Sequence, residues 1–140
     1  MSTCIGVEVF WKSQLVAIRF LYRNYNSSIA NLYHGYPDSN DSSLLNDTFL
    51  LSDDERINKV TLYVGIGTAE NIYKVIDTPI RHVLGIQFYT TIGRLSPLYG
   101  AKEGEEFNEF YKGFILGYAT GRSGVIIDML QFVWYKQGKT

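Results

Sequence analysis

The sequence predicts an all-β domain, and three observations support this prediction. Hydrophobic residues recur with a period of two in several stretches. Clusters of glycine, proline, asparagine, aspartate and serine separate these stretches at nearly even spacing. No segment carries a convincing helical stripe, and the best candidate, residues 68–75, would make at most one or two turns. Many short strands of this kind indicate a sandwich, a barrel or a prism.

The alternation is clearest in three stretches. In residues 15–22, one face carries Val16, Ile18, Phe20 and Tyr22. In residues 80–90, one face carries Ile80, His82, Leu84, Ile86 and Phe88. Residues 126–135 are largely apolar on both faces, so this strand is predicted to be central and buried on both sides. Further strands are predicted at residues 7–11, 31–34, 47–51, 58–64, 95–99 and 114–119.

Length and charge limit the classes of protein that remain. The 140 residues fit one domain, 1–140, although a domain cut from a longer protein is an alternative. The formal charge is −1 and the basic residues are scattered, so we expect no nucleic-acid partner. No apolar run approaches 18 residues and no leader pattern opens the chain, so we expect no membrane insertion. With its single cysteine, the chain as given is expected to be cytoplasmic.

A candidate binding segment lies near the C-terminus, in residues 121–128. It is a glycine-rich turn that leads into an apolar strand whose first polar residue is Asp128. A carboxylate can accept two charge-assisted hydrogen bonds, and glycine allows backbone amides to approach a ligand closely. This combination suits the hydroxyls of a sugar. On the residues alone a plain hairpin turn is favoured, with Asp128 accepting from the amides of Ser123 or Gly124.

Other polar residues do not form a recognisable catalytic or metal site. The acidic cluster of Glu103, Glu105, Glu106 and Glu109 is interpreted as a solvated turn rather than as a paired-carboxylate hydrolase site. The two histidines lack metal-ligand spacing, and His82 is expected to be a hydrogen-bonded core or interface residue. Cys4 has no recognisable Cys/His context. We therefore expect no enzyme, no catalytic residue, no metal and no cofactor.

Several segments, in order, resemble the jacalin-related lectins. They are residues 104–108, 114–118 and 121–128, preceded by 15–20, 86–94 and 98–100. The resemblance looks closest to the animal zymogen-granule type, in which a Gly-Arg-Ser-Gly turn leads into the pattern Gly-x-x-x-Asp. The match covers most of residues 7–135.

This resemblance implies a β-prism I fold, with three four-stranded antiparallel sheets and pseudo-threefold symmetry. The first two and last two strands would share one sheet. It also implies metal-independent binding of mannose- or glucose-type glycans or glycoproteins. Asp128 would accept from two hydroxyls, while Gly124, Val125 and Ile126 would supply the loop and its amides. Ile66, in a second loop, would form a wall of the site.

The sequence departs from the family at its N-terminus. The family usually has a glycine-rich loop before its first strand, whereas only Gly6 occurs here. Trp11-Lys12-Ser13 replaces the family's acidic pair. These differences keep an alternative open, in which the domain mediates protein interaction or targeting, attached to an enzyme or toxin, with weak or lost sugar binding. Because relatives self-associate through outer strands, a homodimer is also an open alternative.

Overall fold

The computed structural model describes residues 3–22, 33–66, 81–123 and 127–137, and these residues form ten β-strands joined by antiparallel ladders. The strands are β1 (Cys4–Trp11), β2 (Leu15–Tyr22), β3 (Tyr33–Gly35), β4 (Leu45–Leu50), β5 (Ile57–Ile66), β6 (Arg81–Thr90), β7 (Tyr99–Gly100), β8 (Glu105–Phe110), β9 (Phe114–Ser123) and β10 (Ile127–Lys136). The all-β prediction is confirmed for these residues, none of which is helical. Accordingly, none of them belongs to a helix long and apolar enough to cross a membrane. The helical candidate at 68–75 lies outside the described residues.

Two four-stranded sheets share the same strand order. The first sheet has the order β3-β2-β1-β4, and the second has the order β7-β6-β5-β8. In each sheet, the first two strands along the chain form a central hairpin. The third strand pairs with the second, and the fourth strand pairs with the first. The hairpin β9–β10 forms a third sheet, which contains two strands within the described residues. The chain therefore repeats one topological unit. Instead of the three four-stranded sheets that were predicted, the described residues form two sheets of four strands and one sheet of two strands.

Two glycines show that the repetition extends to backbone detail. Gly35 ends β3 and pairs with Ala17, and Gly100 ends β7 and pairs with Gly85. Both have positive φ, 87° and 93°. A Cβ on Gly35 would lie 2.2 Å from the carbonyl oxygen of Val16, and one on Gly100 would lie 2.4 Å from that of Leu84. Val16 directly precedes Ala17, the partner of Gly35, and Leu84 directly precedes Gly85, the partner of Gly100. The strands β3 and β7 therefore occupy equivalent positions in the two sheets.

The core lies where the inner faces of the three sheets meet. Phe20 of β2 contacts Phe88 of β6 and Phe132 of β10, with centroid separations of 6.2 Å in both cases and edge-to-face geometry. These three rings come from the second strand of each hairpin, and all are buried. The faces predicted from alternation in β2 and β6 are confirmed, including His82 in the core, except Ile80, which lies outside the described residues.

The predictions for the last strand need correction. Met129 is 40% exposed and Gln131 is also exposed, while Val133 and Tyr135 are half-buried, so the second face of β10 is only partly buried. The first two strands do not share a sheet with the last two, because β3 and β4 occupy the places beside β2 and β1. An apolar residue on an outer face resembles a core residue in the sequence, which is why periodicity alone overstated the burial.

The acidic cluster was also wrongly placed in a turn. Residues 105, 106 and 109 lie on β8, which is the outermost strand beside β5 among the described residues. Glutamate is depleted in strands, and β8 is exposed along most of its length, so no inward-facing alternation marks it in the sequence. Charged residues on an edge strand discourage pairing with other chains.

Replacing Tyr22 with phenylalanine is expected to destabilise the protein by about 1–3 kcal/mol. The Tyr22 hydroxyl accepts a hydrogen bond of 3.0 Å from the buried amide of Ala119, and this bond joins β2 to β9. Burial raises the pKa of Tyr22 to about 12, so the hydroxyl stays neutral. Urea denaturation would measure the loss, with Tyr111→Phe on a half-exposed ring as the matched control. Equal losses in the two variants would contradict this role of the bond.

Candidate functional site

The predicted site lies at the tip of the β9–β10 hairpin, where the strand register is irregular. Ile127 pairs with Ser123, whereas Met129 pairs with Arg122. An advance of two residues along β10 therefore corresponds to an advance of one residue along β9. Asp128 is the extra residue, and it forms a β-bulge. A bulge bends the strand, leaves a residue out of the ladder and redirects its side chain. The sequence pattern contained no sign of this irregularity.

Gly121 has a structural role in the same hairpin. A Cβ at Gly121 would lie 2.2 Å from the carbonyl oxygen of Met129, on the facing strand. The backbones of β9 and β10 therefore approach too closely here for any side chain at this position. The first glycine of the Gly-Arg-Ser-Gly turn thus permits the strand contact next to the bulge.

The residues predicted to bind the ligand are only partly described. Gly124, Val125 and Ile126 lie outside the described residues, between the end of β9 and the start of β10. Asp128 is described through its backbone, as the second residue of β10. The assignment of these four residues to a sugar site remains a prediction.

Ile66, the predicted wall residue, ends β5 and is exposed. The backbone beside it is tightly packed: a Cβ at Gly65 would lie 3.1 Å from the Cα of Gly104. Gly104 itself has a φ of 82°, and a Cβ there would lie 2.3 Å from the carbonyl oxygen of Val64. These contacts fix the course of the chain up to Ile66. The rest of the predicted second loop, from Gly67 onward, lies outside the described residues.

The turn between β1 and β2 lies close to this end of β5. Gln14 in the turn donates a hydrogen bond of 3.5 Å to Glu103, the neighbour of Gly104. Leu15 also packs against Gly100, since a Cβ on that glycine would lie 2.6 Å from the Leu15 nitrogen. Residues 100–104 therefore contact both the β1–β2 turn and the end of β5.

The starts of β5 and β9 lie at one end of the fold. Phe110, the last residue of β8, pairs with Lys59 near the start of β5. The chain then turns at once, with the Phe114 amide donating to the Tyr111 carbonyl at 2.9 Å, and β9 begins. Both β5 and β9 are ten residues long.

The four glutamates of the acidic cluster have separate partners. Glu103 accepts from Gln14, Glu105 from Arg81, Glu106 from Tyr63 and Glu109 from Trp134. These hydrogen bonds draw the carboxylates towards different neighbours, which does not favour the shared geometry of a catalytic pair. Within the described ranges, no three His, Cys, Asp or Glu side chains converge as a metal site.

Cys4 is fully buried in the core. Burial raises the pKa of its thiol to about 12, because desolvation disfavours the thiolate. The thiolate is the reactive form of cysteine, so Cys4 is a structural residue at neutral pH.

Comparison with known proteins identifies the fold. The family model described as "Jacalin-like lectin domain" matches residues 5–133. No curated protein matches the chain. Among solved structures, artocarpin in complex with mannotriose is 21% identical, with a TM-score of 0.75 over 95% of this chain and 83% of that chain.

Two further structures show how widely the fold is shared. A mannose-specific jacalin-related lectin from Morus nigra, in complex with mannose, is 18% identical, with a TM-score of 0.73 over 93% of this chain and 79% of its own. A galactose-specific lectin from Artocarpus hirsuta is 16% identical, with a TM-score of 0.72 over 94% and 91%. At these identities the likeness establishes a common fold, of the β-prism I type, and leaves the choice of ligand open.

Proposed function

The chain belongs to the family of jacalin-like lectin domains, and on that basis we propose that it binds mannose- or glucose-type glycans without metal and without catalysis. The proposed site is the β9–β10 tip. Asp128 accepts from two sugar hydroxyls, and the turn of Gly124, Val125 and Ile126 supplies backbone donors. Ile66 contributes an apolar wall.

The observation that carries this proposal is the β-bulge at Asp128. In a regular hairpin, the side chain of the second residue of β10 would take its place in the alternation between the two faces. The bulge leaves the backbone of Asp128 out of the regular pairing with β9, next to the turn. Bulges are over-represented beside functional sites, where they redirect a side chain.

The course of β5 supports a contribution from Ile66. Since β5 and β9 start at the same end of the fold and have equal length, their far ends lie on the opposite side. Ile66 ends β5, and the Asp128 tip follows β9. An exposed isoleucine held by the tight packing of Gly65 and Gly104 suits the apolar face of a sugar ring.

The proposed preference for mannose or glucose assumes that Asp128 approaches an equatorial 4-hydroxyl. In both sugars the 4-hydroxyl is equatorial and lies beside the 6-hydroxyl, so one carboxylate can accept from both. In galactose the 4-hydroxyl is axial, which would require a different approach. Solved structures of this fold include lectins described as mannose-specific and as galactose-specific, so the scaffold alone does not decide the preference.

One observation favours the alternative of a protein-interaction or targeting domain. Gly6 lies within β1 and pairs with both Leu21 and Leu50. It is thus part of the sheet rather than of a loop that could donate to a ligand. The site would then lack the family's third set of backbone donors, which lowers the expected affinity for a single sugar.

Asp128→Asn is expected to abolish detectable sugar binding. A dissociation constant of about 1 mM corresponds to only about −4.1 kcal/mol. Each hydrogen bond to a charged group contributes about 1.5–3 kcal/mol, so losing the charge on two bonds leaves little affinity. Titration of labelled wild type and variant with mannose, glucose and galactose, followed by NMR, would measure this loss. Asp54→Asn, in the exposed turn before β5, is the matched control and should bind as wild type does.

Saturable shifts in residues 121–131 for mannose or glucose, lost in folded Asp128→Asn, would support the lectin function. Equal binding by Asp128→Asn and wild type would refute the role of this carboxylate. If wild type shows no shift with any sugar or mannotriose at tens of millimolar, the interaction-domain alternative takes the lead.

A further inference from the structure

A second cluster of aromatic and acidic residues, with Tyr111 exposed, lies at the open end of the same hairpin. We call Glu109, Tyr111, Phe114 and Trp134 the β8–β9 cluster, because it surrounds the connection between those strands. Phe114 pairs with Lys136, nine residues along β9 from Ser123 at the tip. At about 3.3 Å per residue, the two ends of the hairpin lie roughly 30 Å apart. The cluster is therefore separate from the proposed Asp128 site.

The aromatic rings of the cluster are ordered against each other. Tyr111 packs edge to face with Trp134 at 6.0 Å and 69°, and with Phe114 at 6.4 Å and 72°. Trp134 also contacts the core ring of Phe132 at 6.3 Å, which anchors the cluster to the interior. The rings thus form a preorganised apolar surface rather than independent side chains.

The short connection between β8 and β9 holds Tyr111 in place. The Phe114 amide donates to the Tyr111 carbonyl at 2.9 Å, and the Gln137 amide donates to the Gly113 carbonyl at 2.7 Å. Gly113 has a φ of 82°, and a Cβ there would meet no atom within 4 Å. The turn is therefore fixed by hydrogen bonds and leaves open space beside the rings.

Tyr111 is the exposed member of the cluster, whereas Glu109, Phe114 and Trp134 are half-buried. Tyr111 is 51% exposed, and the preceding Phe110 is 54% exposed. Two consecutive aromatic side chains are therefore half exposed, and exposed apolar groups of this kind can mark binding surfaces.

A carboxylate is fixed at the rim of this surface. The Trp134 indole N–H donates to Glu109 at 2.9 Å. A carboxylate has about four acceptor positions, and the indole occupies one of them. Glu109 can therefore accept from hydroxyl groups while Trp134 keeps it oriented. The exposed Lys112 in the turn adds a donor nearby.

We propose that the β8–β9 cluster is a second carbohydrate-binding site, which stacks a pyranose ring on Tyr111 and accepts its hydroxyls at Glu109. One face of a pyranose carries C–H groups and its rim carries hydroxyls, which matches a flat ring bordered by a carboxylate. The proposal depends on the proposed function only for the class of ligand. Two sites at opposite ends would let one domain bridge two glycan chains and gain avidity.

The test follows the indole N–H resonance of Trp134 by NMR while mannose and mannotriose are added. In wild type this resonance is expected to shift and saturate. The same shift is expected in Asp128→Asn, which removes the charge at the other site. Tyr111→Ala should weaken binding at this resonance at least tenfold, and Glu109→Gln should weaken it as well. Tyr36→Ala, at a tyrosine of similar exposure elsewhere on the chain, is the matched control.

The outcomes separate this inference from the proposed function. Shifts at residues 121–131 without any at Trp134, or a Trp134 shift that vanishes in Asp128→Asn, would overturn the second site and leave the first. A Trp134 shift that persists without shifts at the tip would support the second site and refute the first. Equal weakening in Tyr111→Ala and Tyr36→Ala would also overturn the inference, and no shift at either place would refute both.

Discussion

Replacing Arg94 with alanine is expected to destabilise the protein by about 1.5–3 kcal/mol, because it removes charge-assisted hydrogen bonds to a buried carboxylate, although the Arg94 side chain itself is 43% exposed. Glu55 is only 1% exposed, and Arg94 forms two hydrogen bonds to it, both of 2.9 Å. Arg94 also donates to the Leu50 carbonyl at 2.6 Å and lies 4.3 Å from the centre of the Phe49 ring. The pair thus joins the β4–β5 connection to the β6–β7 connection. Thermal or urea denaturation would measure the loss.

The stabilisation by this pair depends on pH. Hydrogen bonds from Arg94 are the main reason why the pKa of Glu55 falls from 4.5 to about 2 in the folded protein. Because the folded pKa is depressed, the contribution is fully present above about pH 5 and is lost as the pH falls towards 2. The difference in stability between wild type and Arg94→Ala should therefore shrink between pH 7 and pH 3.

A second Arg–Glu pair provides the control. Arg81 and Glu105 lie 3.3 Å apart, but both side chains are more than half exposed. Arg81→Ala is expected to cost less than about 1 kcal/mol, since solvent screens exposed pairs. If Arg94→Ala proved as mild as Arg81→Ala, or its effect did not change with pH, the Arg94–Glu55 pair would not have the assigned role.

Replacing Gly100 with alanine is expected to destabilise the protein by about 3 kcal/mol or more, through backbone strain combined with a steric clash. Gly100 has a φ of 93°, which costs an L-residue about 1–2 kcal/mol. The new Cβ would also lie 2.4 Å from the Leu84 carbonyl oxygen and 2.6 Å from the Leu15 nitrogen, both of which are backbone atoms. Relief of this clash requires movement of β6 or of the β1–β2 turn.

Gly93 separates the two contributions. It has a similar φ of 82°, but a Cβ there would meet nothing within 4 Å. Gly93→Ala should therefore lose only the conformational part, about 1–2 kcal/mol. Denaturation midpoints of both variants would test the difference. Equal destabilisation would show that the close approach at Gly100 relaxes without cost.

The comparison of sequence with structure shows which signals were informative. Alternation in residues 15–22 and 80–90 identified the buried faces of β2 and β6, because a sheet covered on one side selects apolar side chains at every second position. The same signal failed for β10, where Met129 is apolar on an outer face. It also failed for β8, since an exposed acidic strand carries no buried face.

The candidate site was predictable only in its position along the chain. The motif from Gly121 to Asp128 identified the hairpin tip, because glycines and a carboxylate beside a strand are local features. The bulge at Asp128 and the clash that requires Gly121 depend on how β10 pairs with β9. Register is a property of two strands together, so the residues of one strand do not encode it separately.

The sequence by itself determined the all-β class, most of the strands, the family resemblance and the near-neutral net charge. Each of these depends on local pattern, on composition or on an ordered set of motifs. Only the tertiary structure decided which strands share a sheet, where Glu55 meets Arg94, and that Tyr111, Trp134 and Glu109 form one cluster. These features join residues that are distant in the chain, and such contacts arise from packing between sheets rather than from any local preference.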